Sequence, residues 1–526
     1  MVLATTVVPL LLVGGALSVA VTGFPPAPTP TGGRAAPAGA PSASSSPSAP
    51  PPTGREPADD PELGSFYGQR LAWEPCSNGQ QCADLTVPVD WARPHGDTLK
   101  LHVLRHRATG RRQGSLLLNP GGPGGSGATF ADVAPRFFSA DLVAAFDLVG
   151  WDPRGVSQVV CLDLDAKAGR NGPLSGVDSS PDTPAELTAL EKAQRSLGRA
   201  CLANTGDLLR HVDSVSTARD LDVLRAALGD TKLTYYGASA GTLIGAWYAQ
   251  LFPGRVGRLV LDSALDPTID GAGLQAGQAK GMSRALASYL AGCASRPACP
   301  LRRSTPTAAA ARVGKLIAGA DRHPLAVGSS RTRLSQAALV SVIVEQLYTA
   351  ERWPVLDRIL TAALRGDGLG VVTALPDGDS DFDQFAHLAI QCLDIPDRRT
   401  SGQVYADAVR LGRTYPVLGH EIAGASPCRE WPVPAAVRPQ RLTAVGAAPV
   451  LVVGTTRDPA TPYEWSQALA GQLSSGRLLT YVGDGHAAYR QHDPCVVHAV
   501  DEYLLGRAVP ASGTRCQGAA AAATAG

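Results

Sequence analysis

The chain has 526 residues, which is enough for a large buried core and for roughly two to four structural units. Its 47 basic and 46 acidic residues give a formal net charge of +1, and no basic cluster stands out. This balance argues against nucleic acid as the main partner, because nucleic-acid binding needs a concentrated positive surface.

The first sixty residues differ in composition from the rest of the chain. Residues 1–23 are almost entirely apolar or small, which predicts a signal peptide with Ser18-Val19-Ala20 as its cleavage site. An uncleaved N-terminal anchor is the alternative, because the run approaches the length of a membrane span. Residues 24–60 are rich in Pro, Ala and Ser, which predicts a disordered linker. We therefore expect a secreted or cell-surface protein that folds over residues 61–516 and ends in a disordered tail over 517–526.

Ten cysteines in an exported chain indicate disulfide bonds. The sequence alone does not determine their pairing, and buried free thiols are the alternative. The lack of a C-x-x-C motif and the scattered histidines argue against a structural zinc site, so we expect no metal and no cofactor. Pairing of sequence neighbours suggests the bonds Cys76–Cys82, Cys161–Cys201, Cys293–Cys299, Cys392–Cys428 and Cys495–Cys516.

Short β-rich runs alternate with helical patterns along the folded part. Several runs are continuously apolar, which is typical of parallel strands covered by helices on both faces. The alternation predicts an α/β fold with a mostly parallel, doubly wound sheet, and the first two runs predict a hairpin. The predicted strands cover residues 85–89, 99–104, 116–119, 146–151, 233–236, 259–262, 450–454 and 478–482.

One long region interrupts this alternation. Residues 267–441 have a mostly helical pattern and separate two of the later predicted strands. We interpret this region as a helical cap inserted into the α/β core, which divides the core into residues 61–266 and 442–516. A separate domain without a role at the site is the alternative.

The sequence Gly237-Ala238-Ser239-Ala240-Gly241 follows a predicted strand and begins a predicted helix. A serine between small residues at such a junction is what a nucleophile elbow requires, because the tight turn leaves no room for bulky neighbours. The hydroxyl then projects from the sheet edge, and the N-terminus of the following helix points at developing negative charge. Ser239 is therefore the candidate nucleophile.

A serine nucleophile needs a base, and the base needs an acid that orients it. Asp458 lies in the loop after one late predicted strand, and His486 follows the next. Both positions would deliver side chains to one sheet edge, so we expect Asp458 to orient His486 and His486 to act first as general base and then as general acid. The alternatives are a turn-capping role for Asp458, Asp262 as the acid, and His492 or His498 as the base.

The oxyanion of an acyl-transfer reaction needs backbone N–H donors that are fixed before the reaction. Ala240, directly after the candidate nucleophile, supplies one. The glycine-rich residues 119–127 follow an early predicted strand and offer the other, with Gly122 as the first choice and Gly121 as the second. A phosphate-binding loop is the alternative interpretation, but no Lys-Ser/Thr pair follows, and the G-x-G-x-x-G spacing with a ribose-binding acid is missing.

In combination, these motifs resemble the secreted actinobacterial tripeptidyl aminopeptidases, which are proline-iminopeptidase-like serine peptidases of the α/β-hydrolase superfamily. The resemblance extends from about residue 73 to residue 516, with residues 442–516 as the TAP-like part. It implies the α/β-hydrolase fold and a triad of Ser239, Asp458 and His486. Ala240 departs from the family, in which this position is commonly Tyr, and this leaves the substrate preference open. The shared stretches are residues 119–126, 146–155, 235–242, 454–463 and 483–486.

An aminopeptidase must also hold the α-ammonium of its substrate, which calls for an acidic group on the cap. Asp381, Asp383 and Asp394 are candidates, with Glu345 behind them. We expect a secreted serine exopeptidase that releases tripeptides or other short N-terminal peptides. A carboxylesterase with the same triad and a non-catalytic binding protein are the alternatives; an acidic pocket favours the peptidase and an uncharged apolar pocket the esterase. The oligomeric state stays open.

Overall fold

The computed structural model describes residues 62–162, 173–174, 177–330, 332–375 and 383–518. The expected signal or anchor segment and the expected linker therefore lie outside the described residues. The tail was expected to begin at residue 517, but Gln517 is the last residue of a β-strand that ends the core.

A ten-stranded sheet forms the centre of the core, in the order β1-β2-β3-β5-β4-β6-β7-β10-β11-β12. The strands from β5 to β12 in this order are parallel to one another, whereas β1 with β2, β2 with β3 and β3 with β5 pair antiparallel. The strands are β1 (Glu74–Pro75), β2 (Gln81–Pro88), β3 (Thr98–His106), β4 (Gly114–Asn119), β5 (Phe146–Trp151), β6 (Leu233–Ala238), β7 (Val256–Asp262), β8 (Leu325–Ala326), β9 (Arg333–Leu334), β10 (Val450–Arg457), β11 (Gly476–Asp484) and β12 (Thr514–Gln517), of which β8 and β9 form a separate hairpin. The mostly parallel sheet expected from the sequence is confirmed.

Helices cover both faces of this sheet. Many of them begin at a Ser, Thr or Asp whose side chain accepts a hydrogen bond from the first turn, as in the capping box at Thr183. The helices are α1 (Gly64–Tyr67), α2 (Gly127–Phe137), α3 (Ala140–Ala145), α4 (Pro184–Thr205), α5 (Ser214–Ala227), α6 (Gly241–Leu251), α7 (Gly271–Ala291), α8 (Pro306–Arg322), α9 (Gln336–Gln346), α10 (Trp353–Ala363), α11 (Gly368–Ala374), α12 (Gln384–Asp394), α13 (Ser401–Thr414), α14 (Gly419–Ala423), α15 (Tyr463–Gln472) and α16 (Pro494–Leu504).

Successive residues of the central strands enter two different apolar layers. Leu117 and Tyr235 pack on one face of the sheet together with side chains of α5 and α6. Leu116 and Tyr236 pack on the other face with side chains of α2 and α16. Because both faces are covered, the strands carry continuous apolar runs instead of alternating ones, which explains why the sequence predicted them well.

The helical cap lies between β7 and β10 in the chain, contains α7 to α14, and has an apolar core of its own. The boundary expected at residue 267 misses part of this layer. The α4 helix precedes β6 in sequence, yet it packs against α13, and its Glu191 accepts hydrogen bonds from Ser401 and Arg429. Residues 184–205 therefore belong with the cap and not with the first part of the core.

All ten cysteines are paired, and the five pairs are those of the sequence neighbours. Two of these bonds, Cys161–Cys201 and Cys392–Cys428, contribute to a single apolar cluster that joins α4 to α12. None of the helices in the described ranges combines the length and the hydropathy that a membrane span requires.

Candidate active site

Ser239 lies in a strained turn between β6 and α6. Its φ angle is 55°, in the left-handed region that non-glycine residues rarely adopt, and its N–H donates a hydrogen bond to the Asp262 carbonyl at 2.9 Å. A Cβ atom on Gly241 would lie only 2.6 Å from the Asn119 side-chain oxygen, so the turn needs glycine at this position. The predicted elbow therefore has the backbone that a nucleophile elbow requires.

Asp458 and His486 are buried and in direct contact. The imidazole Nδ1 lies 2.9 Å and 3.0 Å from the two carboxylate oxygens of Asp458. The backbone N–H groups of Ala460 and Thr461 donate to the same carboxylate, which fixes its orientation. Because a carboxylate can only accept, Nδ1 carries the proton, and Nε2 is left as the basic nitrogen.

The loop that carries His486 is fastened to β7 and to the cap. The Ala487 N–H donates to the Ser263 hydroxyl at 2.8 Å, and the Ala488 N–H donates to Asp262 at 2.8 Å. On the other side, the His486 N–H donates to the Tyr348 carbonyl at 2.8 Å, and the Tyr348 ring lies edge-to-face against the imidazole. Because Asp262 also holds the Ser239 N–H through its backbone carbonyl, β7 is the common support of the elbow and the histidine loop.

Asp262 does not take the orienting role that the sequence left open for it. Its carboxylate accepts hydrogen bonds from the N–H groups of Ala488 and Tyr489 and from the Tyr236 hydroxyl, and it has no contact with the imidazole nitrogens. Burial raises the pKa of this carboxyl group. Asp262 therefore positions the loop, whereas Asp458 contacts the imidazole.

The remaining imidazole nitrogen is open toward the reaction centre. Nε2 of His486 is buried and has no hydrogen-bond partner among the described residues, Ser239 included. Ser239 is 8% exposed, at the edge of a cavity beneath the cap. Since a free enzyme often leaves this contact loose until substrate binds, the arrangement is compatible with proton transfer from Ser239 to His486.

The glycine-rich loop lies against the elbow, but its two candidate donors differ. The Gly121 N–H, the second choice of the sequence analysis, donates to the Asn119 side-chain oxygen at 2.9 Å and is therefore already used. The N–H groups of Gly122 and Ala240 have no acceptor among the described residues, and both residues line the cavity at Ser239. These two groups are the ones that an oxyanion could use.

Gly121 instead lets the loop come close to the nucleophile. Its φ angle is +89°, and a Cβ atom there would lie 2.3 Å from the Ala238 carbonyl oxygen and 2.8 Å from the Ser239 Cβ. We expect Gly121→Ala to push the loop away from the elbow and to lower kcat by about 100-fold, because a displacement of about 1 Å can cost that much. Steady-state kinetics of the purified variant test this.

Gly254→Ala is the matched control, because nothing lies within 4 Å of a Cβ atom at that position. Its kcat should stay within about twofold of the unmodified protein, as for most surface substitutions. Equal activity of the two variants would mean that the loop can move without loss of function.

His387 supports the glycine-rich loop from the cap, and the sequence did not indicate it. Its Nδ1 lies 2.9 Å from the Pro123 carbonyl, so Nδ1–H is the donor. Burial lowers the pKa of His387 to about 4, which keeps the ring neutral near pH 7. The Asp383 N–H also donates to the Gly124 carbonyl. The start of α12 therefore holds the loop that carries the Gly122 donor.

The cavity at Ser239, called the main cavity below, extends into the cap. It is lined by Gly122 of the glycine-rich loop, by Ala240 beside Ser239, and by cap residues that include Gln278, Asp394 and Tyr348. Since polar and acidic groups stand among apolar ones, this cavity can hold a partly charged substrate.

Among the proposed amine-binding residues that the structure describes, Asp394 alone lies in this cavity and has no cationic partner in the described ranges. Asp383 is committed to capping α12 and to the Ser157 N–H, and Glu345 is paired with Arg352. Asp381 lies outside the described residues. Asp394 lines the cavity, and its oxygens accept hydrogen bonds from the N–H and hydroxyl of Ser214.

The environment of Asp394 disfavours its charge. Burial, reinforced by the nearby Asp213, raises the pKa of Asp394 to about 7. The other acid of this wall, Asp397, is paired with Arg399 and is therefore already neutralised. Asp394 is consequently the carboxyl group of this cavity that would gain most from an arriving cation.

Comparison with known proteins identifies the family of the chain. A family model described as TAP-like protein matches residues 415–516, which include Asp458 and His486. A serine protease named Hip1 from Mycobacterium tuberculosis is 36% identical over 495 residues, covering 88% of this chain and 93% of that protein. A tripeptidyl aminopeptidase from Streptomyces coelicolor is 33% identical over 474 residues, with 85% and 86% coverage.

The chain belongs to the tripeptidyl aminopeptidase-like serine peptidases of the α/β-hydrolase superfamily. A protein named carboxylesterase B from Mycobacterium tuberculosis is 34% identical over 459 residues, with 83% and 86% coverage. The relatives thus bear names of peptidases and of an esterase, and all of these names describe hydrolases. The protein is a serine hydrolase of this family.

Proposed function

We propose that the protein is an exported exopeptidase that removes short peptides from the N-termini of its substrates through an acyl-enzyme. The observation that carries this proposal is Asp394, a buried carboxyl group in the wall of the same cavity as Ser239 that has no cationic partner among the residues described. A group of this kind fits the α-ammonium of a peptide, whereas an ester without charge would supply no counter-charge for the carboxylate.

The proposed reaction uses Ser239, Asp458 and His486 in two half-reactions. His486 Nε2 takes the hydroxyl proton while Ser239 Oγ forms a bond to the scissile carbonyl carbon. The N–H groups of Ala240 and Gly122 donate to the resulting oxyanion. His486 then gives the proton to the leaving amine as the C–N bond breaks, and a water molecule hydrolyses the acyl-enzyme by the same steps.

Asp394 should make the enzyme select substrates with a free N-terminus. We expect Ala-Ala-Ala-p-nitroanilide to be cleaved with a higher kcat/KM than its N-acetyl form, and Asp394→Asn to reduce this ratio by about 10- to 100-fold, because a charged hydrogen bond is lost. Kinetics with both substrates measure the ratio. Ser335→Ala is a control that should leave the ratio unchanged. It removes the hydroxyl that caps α9, and Ser335 does not line the cavity.

The same ratio should depend on pH in a defined direction. Below pH 7 the free enzyme holds Asp394 protonated, so the attraction for the ammonium group weakens and the ratio falls between pH 7.5 and about 5.5. Any pH effect that is common to both substrates cancels in the ratio. A pH-independent ratio in the unmodified enzyme would contradict the role of Asp394.

A carboxylesterase with the same triad is the second candidate function. Ala240, where the resemblance leads us to expect a larger residue, lines the cavity and leaves space beside Ser239. Adding p-nitrophenyl acetate to the assay separates the two functions. Cleavage of the ester without cleavage of either anilide would reject the exopeptidase.

The disulfides support export as part of the proposal. Five bonds with all ten cysteines paired are typical of proteins that fold in an oxidising compartment. The location can be measured by immunodetection of the protein in culture medium and in cell fractions, which also separates a released protein from an anchored one.

A further inference from the structure

A second cavity is lined by His486, and Asp394 is not part of its wall. We name it the side cavity. Ala238, which precedes the nucleophile, and Pro120, which begins the glycine-rich loop, form part of its wall together with His486. Tyr348 lines both this cavity and the main cavity. The side cavity is therefore next to the reacting atoms and separate from the part of the site that contains Asp394.

The side cavity carries positive charge. Arg352 and Arg490 both line it. Arg352 is 8% exposed, and its Nη2 is buried without a hydrogen-bond partner among the described residues, although its Nη1 lies 3.3 Å from Glu345. A buried N–H group of a cation without an acceptor is costly, because its hydration is lost and nothing replaces it.

The two guanidinium groups also act on each other. Burial, and then the neighbouring Arg352, lowers the pKa of Arg490, whereas Glu351 acts in the opposite direction. Burial likewise lowers the pKa of Arg352, and Glu345 and Glu351 oppose it. An anion placed between the two arginines would reduce their repulsion and would give Nη2 an acceptor.

The position of the side cavity indicates which part of a substrate would meet these arginines. His486 donates its proton to the leaving amine, so the leaving group departs on the imidazole side of the scissile bond. Phe130 and Phe137 add an aromatic wall, which suits the side chain of the residue directly after the scissile bond. Guanidinium groups bind carboxylates in a paired, planar geometry.

We propose that the side cavity is a leaving-group subsite that binds a carboxylate of the residue directly after the scissile bond through Arg352 and Arg490. This inference rests on the proposed exopeptidase function and gives its substrate class. The carboxylate comes either from the C-terminus of a peptide that ends at this residue or from an acidic side chain. In both cases the substrate has a cation at one end, which meets Asp394, and an anion just beyond the cleaved bond.

The test compares matched substrates in the full-length enzyme. One pair is Ala-Ala-Ala-Phe and its C-terminal amide, and the other is the amides Ala-Ala-Ala-Asp-NH2 and Ala-Ala-Ala-Asn-NH2. We expect a preference for the charged member of at least one pair, of about 10- to 100-fold in kcat/KM. A preference in the first pair assigns the C-terminal carboxylate, and a preference in the second assigns the side chain. Equal rates within both pairs would overturn the proposal.

Variants connect this preference to the arginines. Arg352→Gln is combined with Glu345→Gln so that no unpaired buried acid remains, and Arg490→Gln is made separately. Each should bring the preference close to one, and a ratio of rates does not depend on the fraction of folded enzyme. Arg358→Gln, an exposed position on α10, is the matched control and should keep the preference. An unchanged preference in both cavity variants would reject the subsite.

A failure of the exopeptidase proposal gives a different pattern. If no peptide is cleaved, the unmodified enzyme and the variants are compared on 4-acetoxybenzoate and 4-acetoxybenzamide, whose leaving groups differ in one carboxylate. If the unmodified enzyme hydrolyses 4-acetoxybenzoate faster than 4-acetoxybenzamide and the variants lose this preference, the result supports the subsite without a peptidase. The same benzoate-to-benzamide ratio in all enzymes overturns it.

Discussion

Ser239→Ala is expected to lower kcat toward Ala-Ala-Ala-p-nitroanilide by about 10⁶-fold, the loss that follows when a serine nucleophile is removed from a working triad. The substitution removes one oxygen atom that has no hydrogen bond to any other described residue, and Cβ is kept in the strained turn. The fold should therefore be unaffected, and the melting temperature should match that of the unmodified protein. Both quantities are measured on the same preparation.

Ser263→Ala gives a comparison at a nearby serine that also has a positive φ angle. Ser263 accepts a hydrogen bond from the Ala487 N–H, so its loss should loosen the histidine loop and lower kcat by far less than the loss of Ser239. Burst kinetics with a p-nitrophenyl ester would reveal the acyl-enzyme in the unmodified protein. Measurable turnover by Ser239→Ala would show that another residue is the nucleophile.

Asp458→Asn is expected to lower kcat by about 10⁴-fold while the fold is kept, as when the acid of a serine-protease triad becomes an amide. The N–H groups of Ala460 and Thr461 both donate to the Oδ1 atom of Asp458, so the oxygen of the new amide must face them. The amide NH2 group then faces His486 and forces Nδ1 to accept. The ring proton moves to Nε2, which can no longer take a proton from Ser239.

The loss of kcat in Asp458→Asn should depend on pH. At high pH the loss should be smaller, because hydroxide can replace the missing base in the attack on the substrate. Asp484→Asn, two residues before His486, is the matched control; its carboxylate is paired with Arg457, and its replacement should change kcat by less than about twofold. If Asp458→Asn had no more effect than Asp484→Asn, Asp458 would be only a turn residue.

The sequence predicted those parts of the fold that depend on local patterns. The strand predicted over residues 146–151 has the observed bounds Phe146–Trp151, because every residue of the run is buried between two helical layers. The strand before the elbow was predicted to end at residue 236, yet it extends to Ala238, because Gly237 and Ala238 still pair with β7. Small residues carry no β signal of their own, and the neighbouring strand decides their conformation.

Several contacts that support the site from a distance in the chain were not predicted. His387 reaches Pro123 across 264 positions, and no motif around either residue reports the contact. The hydrogen bond that occupies the Gly121 N–H depends on the side-chain rotamer of Asn119, about which sequence patterns carry no information. The position of α4 beside the cap depends on an apolar cluster whose members are spread over more than 200 positions of the chain, such as Leu197 and Leu388.

The hydrogen bond from His486 to the Tyr348 carbonyl has a consequence for how members of this family can exchange parts. Tyr348 lies inside the helical insertion, so the part that lines the cavity at Ser239 also carries a support of His486, the proposed general base. A chimaera that received the whole insertion of a relative would therefore inherit a foreign support for its own histidine. Grafts that alter specificity and keep turnover should therefore use breakpoints that leave residues 345–352 with the recipient. When whole insertions recombine, we expect substrate range and catalytic rate to change together.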